Sequence, residues 1–172
     1  MAFDCQLRRH YDLLIEKRLK QTNANSLVDK YKHMCVIFNS SGAVLATGYN
    51  IFKTNTYNTE HAEEMALRKL ASKFTSNKRR ITINILVVRT NGGISKPCCN
   101  CLKKMYYYSS KFTIKWIYYS SQEVFNGITR ERFNSMYYNP NKHVSSFYRH
   151  KYTLSGKIDN DDDELMTSSD DD

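Results

Sequence analysis

The sequence predicts an α/β domain, a three-layer α/β/α sandwich around a five-stranded mixed sheet whose fifth strand runs antiparallel to the fourth. Three observations predict it. Segments with helical apolar spacing alternate with short β-branched runs, the pattern of layered α/β folds. A turn-forming Asn39-Ser40-Ser41-Gly42 joins two of the strands as a hairpin. Only eight residues separate Tyr119, at the end of the fourth strand, from the extended pattern resuming at Ile128, too few for the dozen or more of a parallel crossover.

Taken in order, Asp4 is a cap for a first helix whose Leu7, Tyr11, Leu14, Ile15 and Leu19 recur at helical spacing. The turn-prone Thr22-Asn23-Ala24-Asn25-Ser26 ends it. Met34 to Phe38 reads as a buried strand, with Cys35 as a small core hydrophobe, and Ala43 to Tyr49 returns antiparallel to it. Ile51 to Asn58 is a polar loop, and Thr59 is the expected N-cap of a helix with an apolar face of Met65, Ala66, Leu70 and Phe74. Thr82 to Arg89 is the expected central strand, followed through Asn91-Gly92-Gly93 by a helix with Leu102, Met105 and Tyr106 inward and Lys103, Lys104 and Tyr107 outward. Lys111 to Tyr119 makes the fourth strand, Ile128 begins the fifth, and a last helix spans about Asn141 to Tyr152.

The length of 172 residues suits one domain, placed at residues 1–158, with residues 159–172 an acidic disordered tail. No apolar run is long enough to span a membrane, and Met1-Ala2-Phe3-Asp4 lacks the layout of a signal peptide. The expected location is therefore intracellular, cytoplasmic or nuclear, and not secreted. Five cysteines, three of them clustered, fit metal binding in a reducing compartment better than a disulfide framework. The net charge of +9 hides a division: all 26 Lys and Arg precede residue 159, and only 9 of the 17 acids do, so residues 1–158 carry +17. A body that basic, with 13 tyrosines, suits a polyanionic partner such as nucleic acid, although a lysine-rich solvated surface has the same composition.

The chemistry concentrates in Lys96-Pro97-Cys98-Cys99-Asn100-Cys101 and His61-Ala62-Glu63. Cys98 and Cys101, at i and i+3, share one helix face, and Pro97 suits a first helical position. The positive end of a helix dipole favours thiolate, the metal-binding form. His61 supplies a third donor, and a His/Cys/Cys set leaves the fourth position of a zinc ion open, the catalytic arrangement. His61 and Glu63 diverge by about 200° around a regular helix, so both address one point only near the end of its axis. That is where a site between two helix N-termini lies.

These residues resemble the zinc deaminases, whose signature is H-x-E followed by P-C-x-x-C. The resemblance is to the cytidine and deoxycytidylate deaminase superfamily, and Gly48-Tyr49-Asn50 looks like the Gly-x-Asn that precedes its histidine helix. It covers about Lys32 to Ser120. It implies one Zn2+ per chain on His61, Cys98 and Cys101, with Glu63 the catalytic proton shuttle for hydrolytic loss of ammonia from a cytosine. It further implies Asn50 as a substrate-binding residue and room for a homo-oligomer, since relatives commonly assemble, while the lack of a spanning apolar run predicts no membrane partner. Tyr118 and Tyr119 are candidates for the pocket edge, where an aromatic face stacks on a base.

The substrate is expected to be a nucleotide of CMP or dCMP type, or nucleic acid. His61-Ala62-Glu63-Glu64-Met65-Ala66-Leu67 also looks like the tRNA adenosine deaminases, which carry an acid where this chain has Lys96, so adenosine in tRNA is the alternative. A second alternative is a non-catalytic nucleic-acid-binding module, its structural zinc closed by Cys5, Cys99 or His33.

Overall fold

The computed structural model describes residues 2–22, 33–53, 58–74, 80–89, 93–121 and 127–139. The expected last helix and the acidic tail lie outside these residues. The described elements are α1 (Ala2–Thr22), β1 (His33–Asn39), β2 (Val44–Tyr49), β3 (Ile51–Lys53), β4 (Asn58–Glu60), α2 (Ala62–Lys73), β5 (Ile81–Arg89), α3 (Cys99–Tyr108), β6 (Phe112–Ser120), β7 (Ile128–Arg132) and α4 (Phe133–Tyr137). Among them no helix is long and apolar enough to cross a membrane.

Five strands form one sheet in the order β2-β1-β5-β6-β7. β5 is central because Ile83 to Val88 are buried without interruption, as a strand covered on both faces requires. β1 lies antiparallel to both β2 and β5, β6 runs parallel to β5, and β7 antiparallel to β6. The connection through α3 supplies the length for the one parallel pairing, and the short link from β6 to β7 forces the antiparallel return. In the hairpin, Asn39 Oδ1 accepts from the backbone N–H of Ser41 and Ala43, and Gly42 takes the positive φ of 84°.

Two cores flank the sheet. On one face α2, α3 and α4 pack Ala66, Leu67, Leu70, Leu102, Met105, Phe133 and Met136 against Cys35, Ile85, Val87 and Ile117. On the other, Leu14 of α1, with Leu7 and Tyr11 beside it, covers Val36, Phe38, Leu86, Val88 and Tyr118. This is the expected three-layer sandwich. Each aliphatic side chain buried completely contributes about 1.5–3 kcal/mol.

Several local expectations are corrected. Ile51 to Asn58 is not simply a loop: β3 and β4 pair antiparallel, Ile51 opposite Glu60. The N-cap of α2 is His61, not Thr59, which lies in β4. Pro97 is not the first helical position, because Cys98 is the N-cap of α3 and Cys99 its first residue. Asp4 lies inside α1. Tyr106 is half-exposed and stacks on Tyr137, ring centroids 4.5 Å apart, instead of entering the core. The five-residue α4 is too short to show a period in sequence, yet its Phe133 and Met136, at i and i+3, are both buried.

Candidate metal centre and active site

The two helices that carry the motifs begin at one place. His61 and Cys98 are both N-caps with extended backbones, and their carbonyls accept the first helical bonds, from Met65 and Leu102 N–H. Neither side chain caps its own helix, so both are turned elsewhere. Glu63 and Cys101 follow in the first turns. His61 Nδ1 lies 3.1 Å from Cys101 Sγ and 3.6 Å from Cys98 Sγ, and the two sulfurs are 3.7 Å apart.

These separations fit a tetrahedral zinc ion. Zn–S bonds of about 2.3 Å and Zn–N bonds of about 2.0 Å place ligand atoms about 3.8 Å (S to S) and about 3.5 Å (S to N) apart. The one shorter edge is that between His61 and Cys101. Among the described residues the group of mutually close donors is His61, Cys98 and Cys101 alone. Cys99 is half-buried outside it, Cys5 is exposed on α1, and His33 starts β1, so none closes a four-ligand cage. The site takes one Zn2+.

The electrostatics suit cation binding. The hydrogen bond from Cys101, aided by His61, draws the Cys98 thiol down to about 4 against the cost of burial. The Cys98 thiolate in turn lifts His61 to about 9, while burial pulls it the other way. Cys101, next to that thiolate and buried, is pushed up. The trio therefore carries an anionic sulfur and protons that a metal displaces. Glu63 is 5% exposed. Burial raises its carboxyl above the ordinary range, the neighbouring His61 opposing this.

What holds the two helix starts in register is a set of contacts invisible in either motif. A Cβ built on Gly48 would lie 2.2 Å from the Ala62 carbonyl oxygen and 2.6 Å from the Ala66 nitrogen, so only glycine lets β2 approach α2 this closely. Asn50 follows directly: its Oδ1 accepts from the His33 N–H at 3.0 Å and its own N–H reaches the His33 carbonyl at 3.2 Å. On the cysteine side, the buried Ser95 hydroxyl donates to the Val87 carbonyl at 2.7 Å and accepts from the Ser120 N–H at 2.8 Å. The Ser95 N–H bonds the Ser120 carbonyl at 2.9 Å, which clamps the segment before Pro97 between β5 and β6.

The two tyrosines part company. Tyr119 packs in the same core as Cys98 and Cys101 and donates to Glu131, which also receives Lys96 Nζ at 3.0 Å. Burial and this bond raise its hydroxyl well above the ordinary tyrosine range. Tyr118 points to the opposite face of the sheet, into the α1 core, because side chains alternate along β6. It is not at the edge of the metal site. Sequence reasoning missed Glu131, whose only signal was its place in an expected strand, and the clamp partner Ser120.

The family model for the cytidine and deoxycytidylate deaminase zinc-binding region matches residues 11–119, more than half of the chain. Among solved structures, cytidine deaminase from Burkholderia pseudomallei is 16% identical, covering 77% of this chain and 98% of that one, with a TM-score of 0.49. A mutant cytidine deaminase from Mycobacterium tuberculosis is 15% identical over 77% of this chain and 97% of that one, TM-score 0.47. Cytidine deaminase from Mycobacterium leprae is 17% identical over 70% and 92%, TM-score 0.43. No curated protein matches by sequence. Since the matched region runs through both helix starts and the strand between them, the chain belongs to the cytidine and deoxycytidylate deaminase family and carries its zinc-binding region.

Proposed function

We propose that the chain is a zinc-dependent hydrolase that replaces the amine on C4 of a cytosine base with a carbonyl, in a nucleotide or within nucleic acid. The observation that carries this is the buried Glu63 carboxyl set beside a three-donor site with no fourth protein ligand among the described residues. Bound there, Zn2+ supplies a Lewis acid that lowers the pKa of water to about 7.

Glu63 does the proton work. Its carboxylate accepts a proton from the attacking water and delivers it to ring N3, and a second transfer goes to the amine as it leaves C4. Water and the amino-pyrimidine become the keto-pyrimidine and ammonia, and the carboxylate is regenerated. A raised pKa helps, because the group must hold the proton between the two transfers. Asn50 orients the substrate in this reading, by the family resemblance of Gly48-Tyr49-Asn50, and its two bonds to His33 hold it directly after β2. Tyr119, in the same core cluster as Cys98, is held by its bond to Glu131.

Zinc-loaded protein incubated with dCMP, CMP, cytidine, single-stranded DNA, RNA and tRNA decides the substrate. Uracil products in at least one cytosine arm are expected. Inosine from tRNA with no uracil in any arm makes the adenosine reading correct instead, and no product in any arm leaves a zinc-binding module. The +17 of residues 1–158 supports the polymeric arms.

A further inference from the structure

The face of the sheet away from the metal centre carries a cavity of about 220 Å³ beside the β1–β2 turn, lined by Ser40, Asn84, Lys115, Trp116, Tyr118 and Arg130. Asn84 is the anomaly in it. It sits in the apolar run of β5, between Ile83 and Ile85, 3% exposed, and its Oδ1 has no hydrogen-bond partner. Buried amides are almost always paired, and a leucine of similar size would fill the place without that penalty. The cavity is thus lined by an amide whose oxygen no protein group pairs among the described residues.

The rim defines the ligand's charge. Lys115 and Arg130 are exposed, and no carboxylate lines the cavity among the described residues. The guanidinium of Arg130 lies 4.5 Å from the Trp116 ring centroid and that of Arg132 lies 5.1 Å from it, which holds two cations in place. Glu131, between them, serves the opposite face. An amide at the floor, aromatic walls and guanidinium and ammonium groups at the mouth match one nucleotide unit: a base edge for the amide, a phosphate for the cations. About 220 Å³ is room for a single base.

We propose that this cavity is a second nucleotide-binding site, separate from the metal centre, in which Asn84 pairs with the base edge and Lys115 and Arg130 hold the phosphate. The nucleotide is free or part of a single strand. Because Trp116 and Tyr118 lie on the α1 side of the sheet, the site stands whether or not the chain deaminates cytosine.

Trp116 is the only tryptophan, so its fluorescence reports the cavity directly. Zinc-loaded full-length Glu63→Gln protein is titrated with dCMP, a short oligodeoxycytidylate, deoxyribose 5-phosphate and inorganic phosphate, alone and combined with Asn84→Leu or Lys115→Glu. Saturable quenching by dCMP or the oligonucleotide is expected, weakened about tenfold or more by either added substitution, with the two base-free probes binding about tenfold more weakly than dCMP. Tighter binding of the oligonucleotide than of dCMP identifies the strand as the source, and equal binding the free nucleotide. Absence of quenching, quenching unchanged by both substitutions, or phosphate alone binding as well as dCMP each overturns the proposal. Lys115 is exposed, so its variant keeps the test sound should Asn84→Leu fail to fold.

Discussion

Among single residues, the three mutually close donors are distinct from Glu63, to which the proposed reaction gives the proton transfers. His61, Cys98 and Cys101 form the mutually close trio, so His61→Ala, Cys98→Ala and Cys101→Ala should each lose zinc by elemental analysis. Cys99→Ala should keep it, because Cys99 stands outside the trio; a Cys99→Ala protein as zinc-poor as Cys98→Ala would refute the ligand set. Glu63→Gln keeps the size of the buried side chain and removes only the proton acceptor. Turnover should fall by about 10²–10⁴-fold or more, while zinc content and melting temperature stay at wild-type values. Wild-type turnover in that variant would mean that another group carries the proton. His61 and Glu63 were legible from sequence because two residues at a helix start and a Pro-Cys-x-x-Cys form a pattern that few other chemistries need. Tyr118 was misplaced, since a one-residue error along a strand moves a side chain to the opposite face.

At the scale of elements, the site depends on how closely β2 and α2 approach. Gly48→Ala sets a methyl group against the Ala62 carbonyl and the Ala66 nitrogen, both backbone atoms that have no rotamer to escape into. The variant should lose about 1–3 kcal/mol of stability in thermal or denaturant unfolding. Because α2 carries His61 and Glu63, it should also yield zinc to a competing chelator faster than wild type. An unchanged melt would show that the two elements slide apart at no cost. In sequence Gly48 stands out only as part of Gly48-Tyr49-Asn50, and its physical reason, a strand pressed on a helix, is a distance. The β3–β4 pair and α4 went unread for a simpler reason: elements of three to five residues are too short to display a period.

For the whole molecule, the charge division is the property that no local contact reveals. We propose that the acidic segment at residues 159–172, joined to a body of +17, competes with phosphate for that body at high effective concentration. Deleting residues 159–172 should tighten binding to a labelled single-stranded oligonucleotide at low salt and steepen its salt dependence. Coincident titration curves for the full and shortened chains would remove the idea and weaken the case for a polymeric substrate.

Residue order alone was enough for the α/β class, the central strand and the antiparallel fifth, because a β-branched run marks the strand and a seven-residue link cannot span a parallel crossover. It also determined the donor types of the metal site, whose chemistry is carried by side-chain identity and spacing. Tertiary structure decided what depends on two distant segments meeting: that His61 and Cys98 are twin N-caps facing one point, that Ser95 and Ser120 lock the cysteine segment, and that Asn84 is left facing a cationic cavity. A helix start is local and readable, whereas the coincidence of two starts is set by the packing of α2 and α3 on one sheet.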